Sequence, residues 1–241
     1  VNRARVAPSL SGIALCALAA LAASLTSGCK LARGNAETPA PTHAPAPATT
    51  NLPAPAPDTR PLLICFGDSL TAGYGTDLGQ SYPDDLQRLL DSQHYPYHVL
   101  NDGISGNTTK DGLDRLPRVI AHHPAIVVVE FGGNDGLRGL PIEQTQANLS
   151  SMIDQLQKSG AQVVLAGITL PPDYGPDYIK KFDAMYPALA RQYHLRLLPF
   201  LLKDVYGVPG DMQDDATHAT AQGNQQVARN IEALLKPLLK K

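Results

Sequence analysis

The chain has 241 residues, 43% hydrophobic and 17% charged, with a formal net charge of -2. It carries no basic block or stripe, and with 5% aromatics and no Trp it offers no platform for stacked bases, so nucleic acid is excluded as a partner. The length suits one or two domains, and the uneven spread of its 21 prolines marks where the chain divides.

Residues 1–28 read as a targeting segment. Arg3 and Arg5 precede an apolar run, Gly12 to Leu25, that is too short and too Ala-rich for a membrane span. Small residues then lead to Cys29, as in a bacterial lipoprotein signal, where that cysteine becomes the lipidated first residue. Leu25 lies one place further from the cysteine than that pattern usually has it. The competing reading is an ordinary secretory signal cut nearby, with Cys29 incidental. On either reading the mature protein is expected to be exported, and on the first it is tethered to a membrane by its N-terminal lipid. Residues 29–60 alternate Ala and Pro without a hydrophobic period, so they form no core and are expected to be an extended, semi-rigid spacer with His43 solvated. Of three cysteines, Cys16 and Cys29 belong to the signal. Cys65 alone lies in the folded part, which leaves no disulfide framework.

Residues 61–241 are long enough for one substantial core. In chain order the pattern predicts a buried strand over Leu62–Phe66 and a helix over Ser81–Ser92 with Ser81 and Asp84 at capping-box spacing. A strand over Tyr97–Asn101 and a helix over Thr109–Ala121 follow. Ala125–Phe131 is a continuous β-branched strand of the kind buried on both faces. Then come a helix over Pro141–Lys158, a strand over Ala161–Ile168, a helix over Asp177–Tyr193, a short strand over Leu195–Pro199 and a closing amphipathic helix over Thr220–Leu239. Alternating strands and helices imply right-handed crossovers, hence a three-layer α/β/α sandwich around a mainly parallel sheet of about five strands. Ligands in such folds sit outside the carboxyl ends of the strands.

The segments at those ends are glycine-rich and polar: GDSLTAGYG with Ser69, NDGISGNTT with Gly106, and FGGNDGLRG with Asn134. Before the last helix, MQDDATH places Asp215 three residues ahead of His218, a spacing that shares one face of a helical turn. Serine needs a base to become a nucleophile, and the base needs an acid to fix its tautomer. Ser69, His218 and Asp215 supply the three groups; Asp214, four before His218, competes for the acid's place. Candidate donors to a developing oxyanion are the Ser69 N–H, the Gly106 N–H and the Asn134 side-chain amide, although Asn134 also suits a left-handed turn. Asp68 is expected to position its loop by local hydrogen bonds. Leu137, Leu140, Pro141, Ile142, Tyr174, Tyr178 and Met212 lie near the same edge and either line an acyl groove or pack the loops. Glycines flank GLRGL (Gly136 to Leu140), which is expected to move when substrate binds. His94, His98, His122, His123 and His194 fall away from this edge. No His, Cys and carboxylate spacing calls for a metal, and no phosphate loop occurs in its required context, so no cofactor is expected.

FGDSL, ISGNT, GGND and DATH together resemble the four blocks of the SGNH, or GDSL-type, hydrolase family, over essentially all of residues 61–241. GGNDGLRGL, PPDYGPDY and LPFLLKDVY are similar to its bacterial multifunctional esterase branch, with arylesterase, lysophospholipase and thioesterase activities. One departure is Ala219, where the family often has Pro after the histidine. The resemblance implies the family's flavodoxin-like α/β/α fold. It also implies a Ser69–His218–Asp215 triad, an oxyanion hole of Ser69, Gly106 and Asn134, and hydrolysis of carboxylic esters or thioesters through an acyl-enzyme. An acyl ester or lysophospholipid substrate and a monomeric state go with it. Two rival readings stay open: an O-acetyl esterase acting on cell-envelope glycans, and a non-catalytic acyl-binding lipoprotein. The latter should lack a triad member, and none is missing.

Overall fold

A computed structural model of the chain describes residues 58–241. The expected signal segment, Cys29 and nearly all of the expected Ala/Pro spacer lie outside the described residues.

Five strands form one parallel sheet: β1 (Leu62–Gly67), β2 (His98–Gly103), β3 (Ile126–Glu130), β4 (Gln162–Ala166) and β5 (Arg196–Leu198), in the order β2-β1-β3-β4-β5. Strands β1 and β3 are buried almost throughout, as uninterrupted apolar runs must be when helices cover both faces. The long helices are α2 (Tyr82–Ser92), α3 (Thr109–Ala121), α5 (Ile142–Lys158), α6 (Pro176–Gln192) and α7 (Ala221–Leu235), with the short α1 (Ser69–Ala72) and α4 (Gly133–Leu137) between them. Helices α2 and α7 pack together, as do α3 with α5 and α5 with α6. This division follows from right-handed crossovers. The step from β1 to β2 runs one way along the sheet and all later steps run the other way, so their helices fall on opposite faces.

The boundaries answer to local chemistry. Ser81 and Asp84 form the reciprocal capping box of α2, and Thr108 with Asp111 forms another at α3. The closing helix ends at Leu235 rather than Leu239; Lys236 keeps helical backbone, but Pro237 has no N–H with which to continue the hydrogen-bond ladder. Each remaining predicted strand or helix is found within two residues of its expected limits. Helices α1 and α4, four and five residues long, were not foreseen; neither carries enough residues to show a period.

Reversal of the strand order between β1 and β3 opens a crevice at their carboxyl ends, the standard ligand position in such sheets. Ser69 follows β1 and Asn134 follows β3, so topology alone brings them to opposite sides of that crevice. His94, His122, His123 and His194 lie at the other edge, where helices turn back into strands, and three of them adopt left-handed backbone (φ 61, 50 and 54 at His94, His123 and His194).

Candidate active site

Ser69 is the first residue of α1. Asp68 caps that helix, its Oδ1 accepting the Leu70 N–H at 3.0 Å, and Gly73 closes it in the left-handed conformation at φ 76. A first-turn N–H has no intrahelical acceptor, and the Ser69 N–H meets none among the described residues. Close packing beneath α1 explains two glycines. A Cβ on Gly67 would collide with the Thr71 hydroxyl and the Glu130 carboxyl, and one on Gly103 would collide with the backbone of Ala72.

His218 Nε2 lies 2.8 Å from Ser69 Oγ, and His218 Nδ1 lies 2.6 Å from Asp215 Oδ2. The Asp215–His218 segment is a tight turn and not the helical turn its spacing implies. Asp215 Oδ1 accepts the N–H groups of Thr217 (2.9 Å) and His218 (3.0 Å), while Ala216 takes left-handed backbone at φ 53. One carboxylate therefore builds the turn with one oxygen and holds the imidazole with the other. Burial pushes the Asp215 carboxyl up, but hydrogen bonds from the His218 backbone and ring and from the Thr217 N–H outweigh it, so the group sits below its ordinary range. Asp214 is exposed and makes no contact of this kind.

The Asn134 amide donates to Asp68 Oδ2 and to the Asn107 carbonyl, both at 3.1 Å. Asp68 thus does more than cap α1: it ties the Ser69 segment to the residue facing it across the crevice. Gly106, at φ 82, precedes Asn107, and its N–H has no acceptor among the described residues; Arg138 donates to its carbonyl at 2.9 Å. The three candidate oxyanion donors therefore occupy neighbouring segments around Ser69.

Beneath them lies a buried carboxyl pair. Glu130, the last residue of β3, is fully buried; its Oε2 accepts the Thr71 hydroxyl at 2.9 Å and the Asp68 N–H at 3.3 Å, while Oε1 has no partner among the described residues. Burial, and then the adjacent Asp68 charge, push the Glu130 carboxyl well above its usual range. Burial also raises Asp68, to about 6, against hydrogen bonds from Leu70 and Asn134. Two carboxylates at this depth cannot both ionise cheaply, so burial and the neighbouring Asp68 both favour the protonated form of Glu130.

Three supports escaped the sequence reading. Glu130 is one. Arg115 is the second: it bonds the Gly67 carbonyl (2.7 Å), Asn107 Oδ1 (2.8 Å) and Asp102 (2.7 Å), and lies 4.3 Å from the Phe66 ring centroid. Gln213 is the third. Its backbone N–H donates to the His218 carbonyl at 2.8 Å, and its side chain bridges the His218 segment to the segment after Ser69. Each acts across a large sequence separation, and no local spacing announces it.

A cavity of about 310 Å³ opens beside Ser69 and His218. Its walls come from Leu70 and Leu137, from Ile168 and Leu170 to Pro172 after β4, and from Phe200, Leu202 and Tyr206 after β5. Of the seven residues expected near the acyl groove, Leu137 lines the cavity and Leu140, Pro141, Ile142, Tyr174, Tyr178 and Met212 do not. The Tyr174 hydroxyl donates to the Leu137 carbonyl at 2.8 Å and that of Tyr178 to the Leu140 carbonyl at 3.0 Å, so these tyrosines hold the GLRGL segment from behind. Ile142 and Met212 pack on the core, and Leu140 points outward. The segments after β4 and β5 were missed because their apolar residues read as ordinary core.

Residues 65–226 match the GDSL-like Lipase/Acylhydrolase family. The esterase TesA of Pseudomonas aeruginosa is 46% identical over 178 residues, covering 73% of this chain and 89% of the relative. A thioesterase, protease and lysophospholipase of Escherichia coli is 38% identical over 178 residues, covering 73% of this chain and 84% of its own. The crystal structure of TesA superposes with a TM-score of 0.71 at 45% identity, covering 74% of this chain and 99% of that one.

Proposed function

The chain belongs to the GDSL-like lipase/acylhydrolase family and is an ester hydrolase, and from that membership we propose that it works through Ser69, His218 and Asp215 on esters or thioesters of medium acyl chains. The observation carrying this reading is the unbroken relay from Asp215 Oδ2 through the imidazole to Ser69 Oγ, at 2.6 and 2.8 Å.

Ser69 Oγ attacks the acyl carbon while its proton passes to His218 Nε2. Asp215, ionised through most of the pH range, fixes the Nδ1–H tautomer and stabilises the imidazolium that forms. The carbonyl oxygen becomes an oxyanion beside the Ser69 and Gly106 N–H groups, which are unpaired before charge develops, and the Asn134 amide joins them by turning one hydrogen from the Asn107 carbonyl to the oxyanion while Asp68 keeps the other. His218 returns the proton to the leaving oxygen or sulfur, and the acyl group remains on Ser69. Water, activated by His218, then attacks the acyl-enzyme and releases the acid. The apolar cavity supports an acyl chain longer than acetyl, which weighs against the glycan O-acetyl esterase reading.

Stoichiometric labelling of Ser69 by a fluorophosphonate, absent in Ser69→Ala, is the test. Equal labelling of the variant would remove Ser69 from the mechanism. The basic, apolar and small-residue order before Cys29 supports export and lipid attachment at that cysteine. Metabolic incorporation of a labelled fatty acid, lost in Cys29→Ala, checks that attachment.

A further inference from the structure

Every large hydrophobic side chain exposed among the described residues lies in a segment that follows a strand, at the carboxyl edge of the sheet. Tyr74 and Leu78 follow β1, with Leu78 fully exposed. Ile104 follows β2, Leu137 and Leu140 follow β3, and Tyr206 and Val208 follow β5. The opposite edge presents histidines and polar turns instead. Single exposed apolar residues are ordinary, but their confinement to one edge marks a contact surface.

What covers this surface follows from two observations. Leu137 and Tyr206 are exposed and also line the cavity beside Ser69, so cavity wall and rim share these two apolar side chains. Whatever wets the rim is therefore continuous with what enters the cavity. Exposed charges on the same segments are mostly acidic: Asp77, Asp204, Asp214 and Asp215 against Arg138 and Lys203. Such a rim repels an anionic lipid surface and tolerates a zwitterionic one.

We propose that this rim docks on a zwitterionic lipid surface and that the enzyme draws its acyl ester from there into the cavity. The proposal rests on the esterase reading and adds the physical state in which the substrate is met.

The experiment compares wild type with Leu78→Glu/Val208→Glu, two exposed positions outside the triad and the cavity. Rates are measured on a dissolved short-chain p-nitrophenyl ester and on lysophosphatidylcholine below and above its micelle-forming concentration. The wild-type rate on lysophosphatidylcholine is expected to climb when micelles form. The double variant should lose about tenfold or more of that climb while keeping its rate on the dissolved ester. No climb in the wild type, a climb retained by the variant, or equal loss on both substrates would overturn the proposal. So would a lipid-free wild-type dimer that the variant dissociates, which would give the face to a second copy of the chain. No wild-type hydrolysis of the dissolved ester would instead sink the esterase reading, and the docking proposal with it.

Discussion

The side-chain amide of Gln213 bonds the carbonyl of Tyr74 at 2.7 Å across 139 positions of sequence, and the same nitrogen reaches the Ala219 carbonyl at 2.8 Å. Tyr74 follows α1, which carries the serine, and Ala219 follows the histidine. The Tyr74 ring lies 4.7 Å from the imidazole, centroid to centroid, completing the join. A Cβ on Gly75 would meet the Gln213 side chain, so the glycine leaves room for it.

Gln213→Ala removes this bridge without altering Ser69, Asp215 or His218. With each lost hydrogen bond worth about 0.5–1.5 kcal/mol, turnover is expected to fall about tenfold while KM changes little. Steady-state kinetics on a soluble ester checks the split. A rise in KM with unchanged turnover would place Gln213 in substrate binding instead.

Asn134→Ala should cost about 2.7–4 kcal/mol of transition-state stabilisation if its amide meets the oxyanion. Asp68→Asn keeps the shape of the residue that orients Asn134 but weakens its pull, so a smaller loss in kcat is expected. Comparing kcat/KM of the two single variants and the double variant tests whether they act on one route. Full additivity would separate them.

Stability should depend on pH through the buried carboxyl pair. Both folded values are raised, to about 6 for Asp68 and well above the usual range for Glu130. Below the ordinary carboxylate range both groups are protonated in the folded and unfolded chains alike, and nothing is lost. As pH rises, the unfolded chain gives up these protons first, so the pair's share of stability falls until the folded groups also ionise. Asp215 acts in the opposite sense. Its lowered value gives stability that is present at neutral pH and lost as pH falls through the folded value. Glu130→Gln removes one raised group, so the melting temperature of the variant relative to wild type should increase between pH 4.5 and 8. A difference independent of pH would mean Glu130 is not protonated in the fold.

Leu137→Ala and Tyr206→Ala trim the cavity at its exposed end with little risk to folding. Each is expected to lower kcat/KM on octanoyl esters by about tenfold and to leave acetyl esters nearly unchanged, given about 0.8 kcal/mol per buried CH₂. Rates across a series of p-nitrophenyl esters check this. A parallel loss on acetyl esters would place both residues near the reacting carbonyl instead.

The fold was legible wherever hydrophobic period and turn chemistry were strong: β1, β3 and the capped helices α2 and α3 follow directly from their residues. The proximity of Ser69 and Asn134 was legible because glycine-rich segments fall at strand ends, and that of Asp215 and His218 because they lie three residues apart. Other features were hidden for a common reason. Glu130 reads as the polar end of an apolar strand, Arg115 as a surface residue of an amphipathic helix, and Phe200 and Leu202 as core. Their roles arise only when the strand order brings distant segments together, and sequence spacing carries no record of that.

Asp215 and His218 lie three residues apart in one turn, and that turn is built by the same carboxylate that orients the ring. The acid and base therefore move as one rigid piece, and the distance between them is almost independent of the rest of the fold. The separation between His218 and Ser69 is the one long-range degree of freedom in the relay. Heating, crowding of the loops or drift over evolution can disturb the mechanism mainly along that coordinate, so activity should fade by a lengthening of one contact before the acid–base pair itself comes apart.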